Sequence, residues 1–242
     1  MKKKTADDGA AEVIGFVLII ALIVAVAAVW ILFYIPAQGN AVETEHARLV
    51  TEEIADIKYG IDLLWMNGKT GMNASRVISP SPVQGTDLSG LLFLSPPVGT
   101  GTISVSPGTN FTVNDGTNHF VYSMKIAYNS ANYYAPDTRI VYDGGAVFRG
   151  QKTEAPYVLL PPSTGGSNLV IVAVSGGGEQ QILSNIPLSI TYKYNSTKIY
   201  PSATVTVNSS SEYADLWKES IGEPFTGTVT VVKFDVEIVG PQ

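Results

Sequence analysis

An uninterrupted apolar run near the N-terminus, from Val13 to Ile35, constrains the fold of this chain more than any other feature. The run contains no charged residue, and Lys2, Lys3 and Lys4 precede it. A helix of this length extends about 34 Å, which is enough to cross a hydrocarbon layer of about 30 Å. The run therefore predicts a membrane-spanning helix, and the polar-patterned sequence after it predicts a folded domain outside the hydrocarbon.

The length of the run distinguishes between kinds of membrane segment. A secretory signal has an apolar region of about 7–15 residues, followed by a small-residue cleavage site. This run is longer, and the sequence Ile35-Pro36-Ala37-Gln38 is a poor site of that kind. Two alternatives stay open: a signal anchor, and a pilin-type signal that is cut before the apolar run. Because the lysines flank only its N-terminal side, the positive-inside rule places Met1 in the cytoplasm and the C-terminal part outside.

A second helical pattern continues beyond the apolar run. From Ala41 to Met66, apolar residues recur at helical spacing, which predicts an amphipathic helix. Asn67-Gly68 is a helix stop. We therefore expect one long helix over residues 10–66, bent near Pro36 to Gly39. Its apolar stripe from Val50 to Trp65 is expected to pack on the domain that follows, which leaves residues 13–35 for neighbouring molecules.

Residues 67–242 have the pattern of a β-rich domain. The segment 69–107 is rich in Gly, Pro, Ser and Thr, with an apolar cluster at 91–94. Further on, a period of two and frequent turn residues predict short antiparallel strands. The expected elements are a strand at 120–128, a hairpin of 138–142 and 146–151, a strand at 168–175, a hairpin of 188–194 and 197–200, strands at 202–208 and 232–238, and a short helix at 213–219. The fold class is α+β: a long N-terminal helix followed by an antiparallel β-sandwich-like domain.

Composition excludes several functional classes. The net charge is −6 and no basic stripe is present, so nucleic acid is not an expected partner. The absence of cysteine excludes disulfides and thiolate metal sites. The two histidines, His46 and His119, are far apart in sequence, and no P-loop or Gly-x-Ser-x-Gly motif occurs. We expect no enzyme activity, catalytic residue, metal or cofactor.

The N-terminal residues resemble a known family. The segment from Asp7 to Leu18, Asp-Asp-Gly-Ala-Ala-Glu-Val-Ile-Gly-Phe-Val-Leu, resembles the start of archaeal type IV pilin-like proteins. Residues 142–149, Tyr-Asp-Gly-Gly-Ala-Val-Phe-Arg, look like a hairpin of some of those proteins. The resemblance implies a class III signal peptide, with a cytoplasmic leader of residues 1–9 cut by a prepilin peptidase between Gly9 and Ala10. Glu12 would then be the third mature residue, whereas the bacterial pattern has glutamate at the fifth; a cut after Ala6 would make it the sixth.

The same resemblance implies that the retained helix packs against other copies or other pilin-like subunits after residence in membrane lipid. Small residues along the helix permit close helix approach in an apolar medium. The expected assembly residues are Glu12, Val13, Ile14, Gly15, Phe16, Ala21, Ala25 and Ala28. The leading hypothesis is a structural subunit, major or minor, of a surface filament for adhesion or surface contact. The alternative is a monomeric, signal-anchored cell-envelope binding module, and an extracytoplasmic enzyme comes third.

Surface chemistry adds two predictions. Four triplets have the N-glycosylation pattern, at Asn73, Asn110, Asn195 and Asn208, and all are expected in loops or at strand ends. The many tyrosines suggest a carbohydrate-binding face, although most are expected to line strands or the core. Of these, Tyr133-Tyr134 is the best candidate for an exposed contact.

Overall fold

The computed structural model describes residues 5–82, 96–152, 154–176, 178–208 and 211–240. The expected helix is present and is longer than the sequence pattern indicates. Its first part, α1, spans Thr5–Val29; a π-helical turn spans Trp30–Tyr34; and α2 spans Ile35–Asn67. Gly68 ends α2 with a φ of 65°, in the left-handed conformation that glycine adopts without strain. The apolar cluster at 91–94 lies outside the described residues.

Thirteen strands and one short helix follow in the described part of the chain. The strands are β1 Asn73–Ile78, β2 Thr100–Pro107, β3 Phe111–Asn114, β4 Asn118–Val121, β5 Met124–Ala131, β6 Thr138–Asp143, β7 Ala146–Gln151, β8 Glu154–Leu160, β9 Thr164–Gly165, β10 Asn168–Ser175, β11 Gln180–Leu183, β12 Leu188–Val207 and β13 Phe225–Val239. The short helix α3 spans Ala214–Ile221.

The strands form two sheets. The first has the order β4-β3-β12-β13-β10-β9, with β1 also paired to β12, and the second has the order β11-β2-β5-β6-β7-β8. All pairs are antiparallel except β10 with β13. The fold is therefore the expected α+β class, a long apolar helix followed by a mostly antiparallel, sandwich-like β-domain.

Several strand predictions are wrong in detail. The alternating pattern at 120–128 belongs to two strands, β4 and β5, which separate at Tyr122-Ser123. The expected hairpin of 188–194 and 197–200 and the strand at 202–208 are one 20-residue strand, β12. Its pairing with β13 shifts register between Tyr194 and Ser196 and between Tyr200 and Ala203, so the turn-like residues form irregularities within a continuous strand.

The hairpin of β6 and β7 has the predicted form. Gly144 and Gly145 both have positive φ, 64° and 105°, which a two-residue primed turn requires. The turn also joins the sheets, because the Val172 amide of β10 donates to the Gly144 carbonyl oxygen at 2.9 Å. Next to it the buried Asp143 carboxylate accepts hydrogen bonds from the amide and hydroxyl of Thr109, and burial raises the pKa of Asp143.

Alternate residues of the central strands enter two different cores. In β10, Val170, Val172 and Val174 pack in the core that contains the apolar stripe of α2. Leu169, Ile171 and Ala173 pack in the core that contains Trp217 of α3. Both faces of β10 are therefore covered, which explains why its sequence is continuously apolar instead of alternating.

Candidate membrane span and assembly helix

Helix α1 exposes its apolar side chains on every side. From Val13 to Val29 the exposed fraction of the large apolar side chains runs from 44% at Ile20 to 65% at Leu22. An exposed apolar surface of this extent on a soluble protein marks an interaction site, and here it encircles the helix. One helix in the described part of the chain is long and apolar enough to cross a membrane, and it is this one.

The expected assembly residues lie along this exposed helix. Ala21, Ala25 and Ala28 follow one another at spacings of four and three and so share one face. Gly15 lies on a different side, and no atom lies within 4 Å of the position that a Cβ would occupy there. The side chains of Glu12, Val13, Ile14 and Phe16 are also exposed. Helix surface of this kind, which no described residue of the β-domain covers, permits close approach of a neighbouring helix.

The expected processing site lies within the backbone of α1. The helix begins at Thr5, so Gly9 and Ala10 are helical positions. The structure describes the backbone of these two residues but not the surroundings of their side chains. Glu12 is the first residue of the chain with a described side chain, and it stands at the boundary between the charged leader and the apolar run.

The junction of the two helices is a π-helical turn at Trp30–Tyr34, which lies just before the residues where a bend is expected, Pro36 to Gly39. The Ile35 amide donates to the Trp30 carbonyl oxygen, five residues back. Pro36 lies in the first turn of α2 and has no amide to donate. A single π-helical turn shifts the hydrogen-bond ladder by one residue, so the chain passes Pro36 as a continuous helix.

Aromatic side chains mark the same junction. The rings of Trp30 and Tyr34 stack with centroids 3.8 Å apart. The Trp30 indole Nε1 has no hydrogen-bond acceptor among the described residues. Tryptophan and tyrosine favour the boundary between hydrocarbon and water, where an apolar ring and a polar edge are both satisfied. The ring pair thus stands at the end of the apolar run where such a boundary is expected.

Helix α2 attaches the exposed helix to the β-domain. Its stripe of Val50, Ile54, Ile57, Ile61 and Leu64 is buried against strands of both sheets, as the spacing predicts. Two glycines let the helix backbone touch aromatic side chains directly. A Cβ on Gly39 would lie 2.1 Å from a ring carbon of Tyr134, and one on Gly60 would lie 1.9 Å from the Tyr192 hydroxyl oxygen.

A buried carboxylate fixes the first turns of α2 to the domain. Glu43 is 1% exposed, and its two oxygens accept four backbone N–H groups. The donors are Gly99 at 2.9 Å, Tyr133 and Tyr134 each at 2.8 Å, and Ala135 at 2.7 Å. Bonds of an ionised acceptor to backbone amides are stronger than neutral ones, so this cluster ties the loop after β5 to the helix. We name it the Glu43 clamp.

The Glu43 clamp was not predicted, although the amino-acid sequence contains a signal for it. Glu43 has the spacing of the buried face, since it precedes Val50 by seven residues and Ile54 by eleven. A carboxylate on an otherwise apolar face indicates a buried polar partner. The partner amides themselves lie up to 92 positions away in sequence, where no local pattern identifies them.

His46 and His119 lie in separate environments. His46 is buried, with Nε2 2.8 Å from the Ser79 carbonyl oxygen and Nδ1 3.4 Å from the Tyr128 hydroxyl. Burial lowers the pKa of His46. His119 contacts Asp115 at a turn, at 3.0 Å. Within the described ranges no group of three His, Asp or Glu side chains is placed to hold a metal ion.

The four glycosylation triplets occupy different backbone contexts. Asn73 begins β1, Asn110 lies between β2 and β3, and Asn208 directly follows β12. Asn195 lies inside β12, at the register shift, and its side chain is hydrogen-bonded to Asp235. Asn73 is exposed and the other three are half-buried. Ser210, the third residue of the last triplet, lies outside the described residues.

Tyr133 and Tyr134 lie in the loop between β5 and β6, and only the first of them is exposed. Tyr133 is 69% exposed, whereas Tyr134 is half-buried against Gly39. Most of the other tyrosines that were considered for a carbohydrate-binding face lie on strands. Tyr128, Tyr192, Tyr194 and Tyr200 are buried, and Tyr122 is exposed beside Phe120 at the edge of the first sheet.

The chain was also compared with known proteins. Neither the family models, nor the curated proteins, nor the solved structures compared with the chain match it.

Proposed function

We propose that this chain is a structural subunit, major or minor, of an archaeal type IV pilus-like surface filament. It assembles through its N-terminal apolar helix and serves adhesion or surface contact. The observation that carries the proposal is the division of one continuous helix into a wholly exposed apolar part and a part docked on the β-domain. A helix that is apolar all round needs lipid or sister helices around it.

The remaining support comes from the leader. Three lysines before the apolar run favour an N-terminus inside and the β-domain outside the cell. The resemblance of residues 7–18 to pilin-like proteins favours a cut before the helix by a prepilin peptidase. On this proposal the helix resides first in the membrane and then in the filament core. The exposed triplet at Asn73 is the best placed of the four for an attached glycan.

The experiment is co-expression of the full chain with an archaeal prepilin peptidase, followed by intact mass and electron microscopy. We expect loss of the first nine residues and filaments in the sheared surface fraction. A Gly9→Val variant is the matched control, because a β-branched residue before the cut is expected to block processing without touching the described domain. An uncut chain that stays in the membrane as a monomer would overturn the proposal in favour of the signal-anchored binding module.

A further inference from the structure

The loop between β5 and β6, residues 132–137, is held against the first turns of α2. The Tyr134 ring lies on the backbone of Gly39, and the Asn40 side-chain amide donates to the Tyr134 carbonyl oxygen at 3.2 Å. The Glu43 clamp binds the amides of Tyr133 and Tyr134 from the next turn. The position of the loop along the helix axis is therefore fixed by backbone contacts.

This position is close to the end of the apolar run. Gly39 comes four residues after Ile35, and Glu43 eight residues after it. At a rise of about 1.5 Å per residue, the two lie about 6 Å and about 12 Å beyond the run along the axis. The headgroup layer on each side of a bilayer is about 5–8 Å thick. If α1 spans the hydrocarbon with Ile35 at its edge, the Tyr134 ring lies at headgroup depth. The Tyr133 amide at Glu43 then lies about 4 Å beyond that layer, a distance that the exposed Tyr133 side chain is long enough to cover.

The chemistry of the loop suits a lipid headgroup layer. Tyr133 exposes an amphipathic ring, of the kind enriched at membrane interfaces, beside that of Tyr134 at 6.5 Å between centroids. The carboxylate of the loop, Asp137, is occupied by the Asn132 amide at 2.8 Å and by Lys152 at 3.6 Å. Lys152 is 79% exposed and is paired with Asp137, so these two side chains together add no net charge to the loop.

A similar aromatic pair provides the contrast. Phe120 and Tyr122 are also exposed, but they precede β5, whereas Tyr133 follows it. The eight residues of β5 alone extend about 26 Å. Since the end of β5 that carries Tyr133 meets the first turns of α2, Tyr122 lies at the end that faces away from the apolar helix.

We infer that the β5–β6 loop is a second membrane contact, with Tyr133 and Tyr134 in the lipid headgroup layer while α1 crosses the hydrocarbon. The inference rests on the membrane-resident stage of the proposed function. Because the loop is fixed to α2, this contact sets the orientation of the β-domain on the bilayer before assembly. Leaving the membrane for a filament then requires both the helix and the loop to leave lipid.

Site-directed spin labelling tests the inference, since the chain has no cysteine to remove. Single-cysteine variants Tyr133→Cys, Tyr122→Cys and Val24→Cys of the full chain are labelled and reconstituted in phosphatidylcholine vesicles containing phosphatidylglycerol. Collision with oxygen, which partitions into lipid, is compared with collision with a water-soluble nickel complex. We expect hydrocarbon depth at 24, water at 122, and headgroup depth at 133, with nickel collisions severalfold fewer than at 122.

Labels at the three positions distinguish failure of the loop contact from failure of membrane insertion. Nickel accessibility at 133 equal to that at 122, with 24 in hydrocarbon, would overturn the loop contact and leave the membrane-resident helix intact. Water exposure at 24 would overturn membrane insertion itself, and the loop contact with it. Protection at 133 that disappears when the ratio of lipid to chain is raised, so that the chains separate in the bilayer, would assign the loop to a second copy and also overturn the inference.

Discussion

The two halves of the N-terminal helix are similar in length and continuous in backbone, yet their environments are opposite. In α1 the apolar side chains are exposed in all directions, and Ile23 is 61% exposed. In α2 apolar and polar residues alternate at helical spacing, and Ile57 on the buried stripe is 0% exposed. The difference teaches that the number of apolar residues does not decide whether a helix joins the core of its own chain. Their arrangement around the helix does, because only a one-sided stripe can be covered by one domain.

The largest expected effect compares the same substitution in the two halves. Ile57→Ala leaves a cavity in the core shared by α2 and both sheets, and we expect the free energy of unfolding to fall by about 2–5 kcal/mol. Ile23→Ala is the matched control, and its effect on domain unfolding is expected to stay within about 0.5 kcal/mol. Denaturant unfolding of the full chain in detergent, followed by tryptophan fluorescence, to which Trp65 and Trp217 of the folded domain contribute, measures both. Equal losses would mean that α1 is also packed on the domain.

The second comparison uses two side chains of nearly equal exposure. Ile23 is 61% and Leu63 59% exposed, but Leu63 lies on the polar side of α2. Ile23→Asp places a charge near the middle of the apolar run, which costs about 2.5–3.5 kcal/mol of membrane insertion. Leu63→Asp is expected to leave insertion unchanged. Flotation of the chain with vesicles measures the bound fraction of each variant. Equal bound fractions of the Ile23→Asp and Leu63→Asp variants at limiting lipid, where binding of the wild-type chain is incomplete, would show that the exposed apolar surface of α1 is not a membrane span.

Local sequence was sufficient to predict the structure where that structure depends on residues that are neighbours in the chain. The helix stop at Gly68 and the turn at Gly144-Gly145 each need positive φ, which glycine alone supplies at little cost. The apolar run is identified by its length and the stripe of α2 by its helical period, and both signals come from residues that are close together in sequence. These features account for the fold class and for the location of the exposed helix.

Prediction from the sequence failed where residues that are far apart in the chain determine the local structure. Asn195-Ser196 and Pro201-Ser202 look like turns, but β13 pairs with β12 on both sides of each, so the chain continues as one strand. In the sequence, Ser209 and Glu212 have the spacing of a capping box just before the short helix. Ser209 lies outside the described residues, and Glu212 pairs instead with Arg139, 73 positions away. The Glu43 clamp belongs to the same class, because its donors come from two distant loops.

The smallest expected effect tests whether the docked half, unlike the exposed half, responds to pH. His46 donates from Nε2 to the Ser79 carbonyl oxygen, and its Nδ1 faces the Tyr128 hydroxyl, which burial keeps protonated by raising the pKa of Tyr128. Because burial also lowers the pKa of His46, the unfolded chain binds its proton more tightly than the folded one. Stability from this group is therefore present above the ordinary histidine pKa of about 6.5 and is lost as pH falls through it, by at most about 1.4 kcal/mol per pH unit.

Glu53, whose carboxylate accepts the Ser79 amide, works in the opposite direction. Burial raises the pKa of Glu53, so its protonation on acidification favours the folded state. A His46→Gln variant separates the two groups, since glutamine retains a donor for Ser79 and does not titrate. Unfolding free energies of both proteins between pH 7.5 and 5.5 should diverge as pH falls, with only the wild-type chain losing the His46 contribution, while Glu53 acts equally in both. Parallel curves would mean that the pKa of His46 is the same in the folded and unfolded chain, so that burial beside Ser79 and Tyr128 does not lower it.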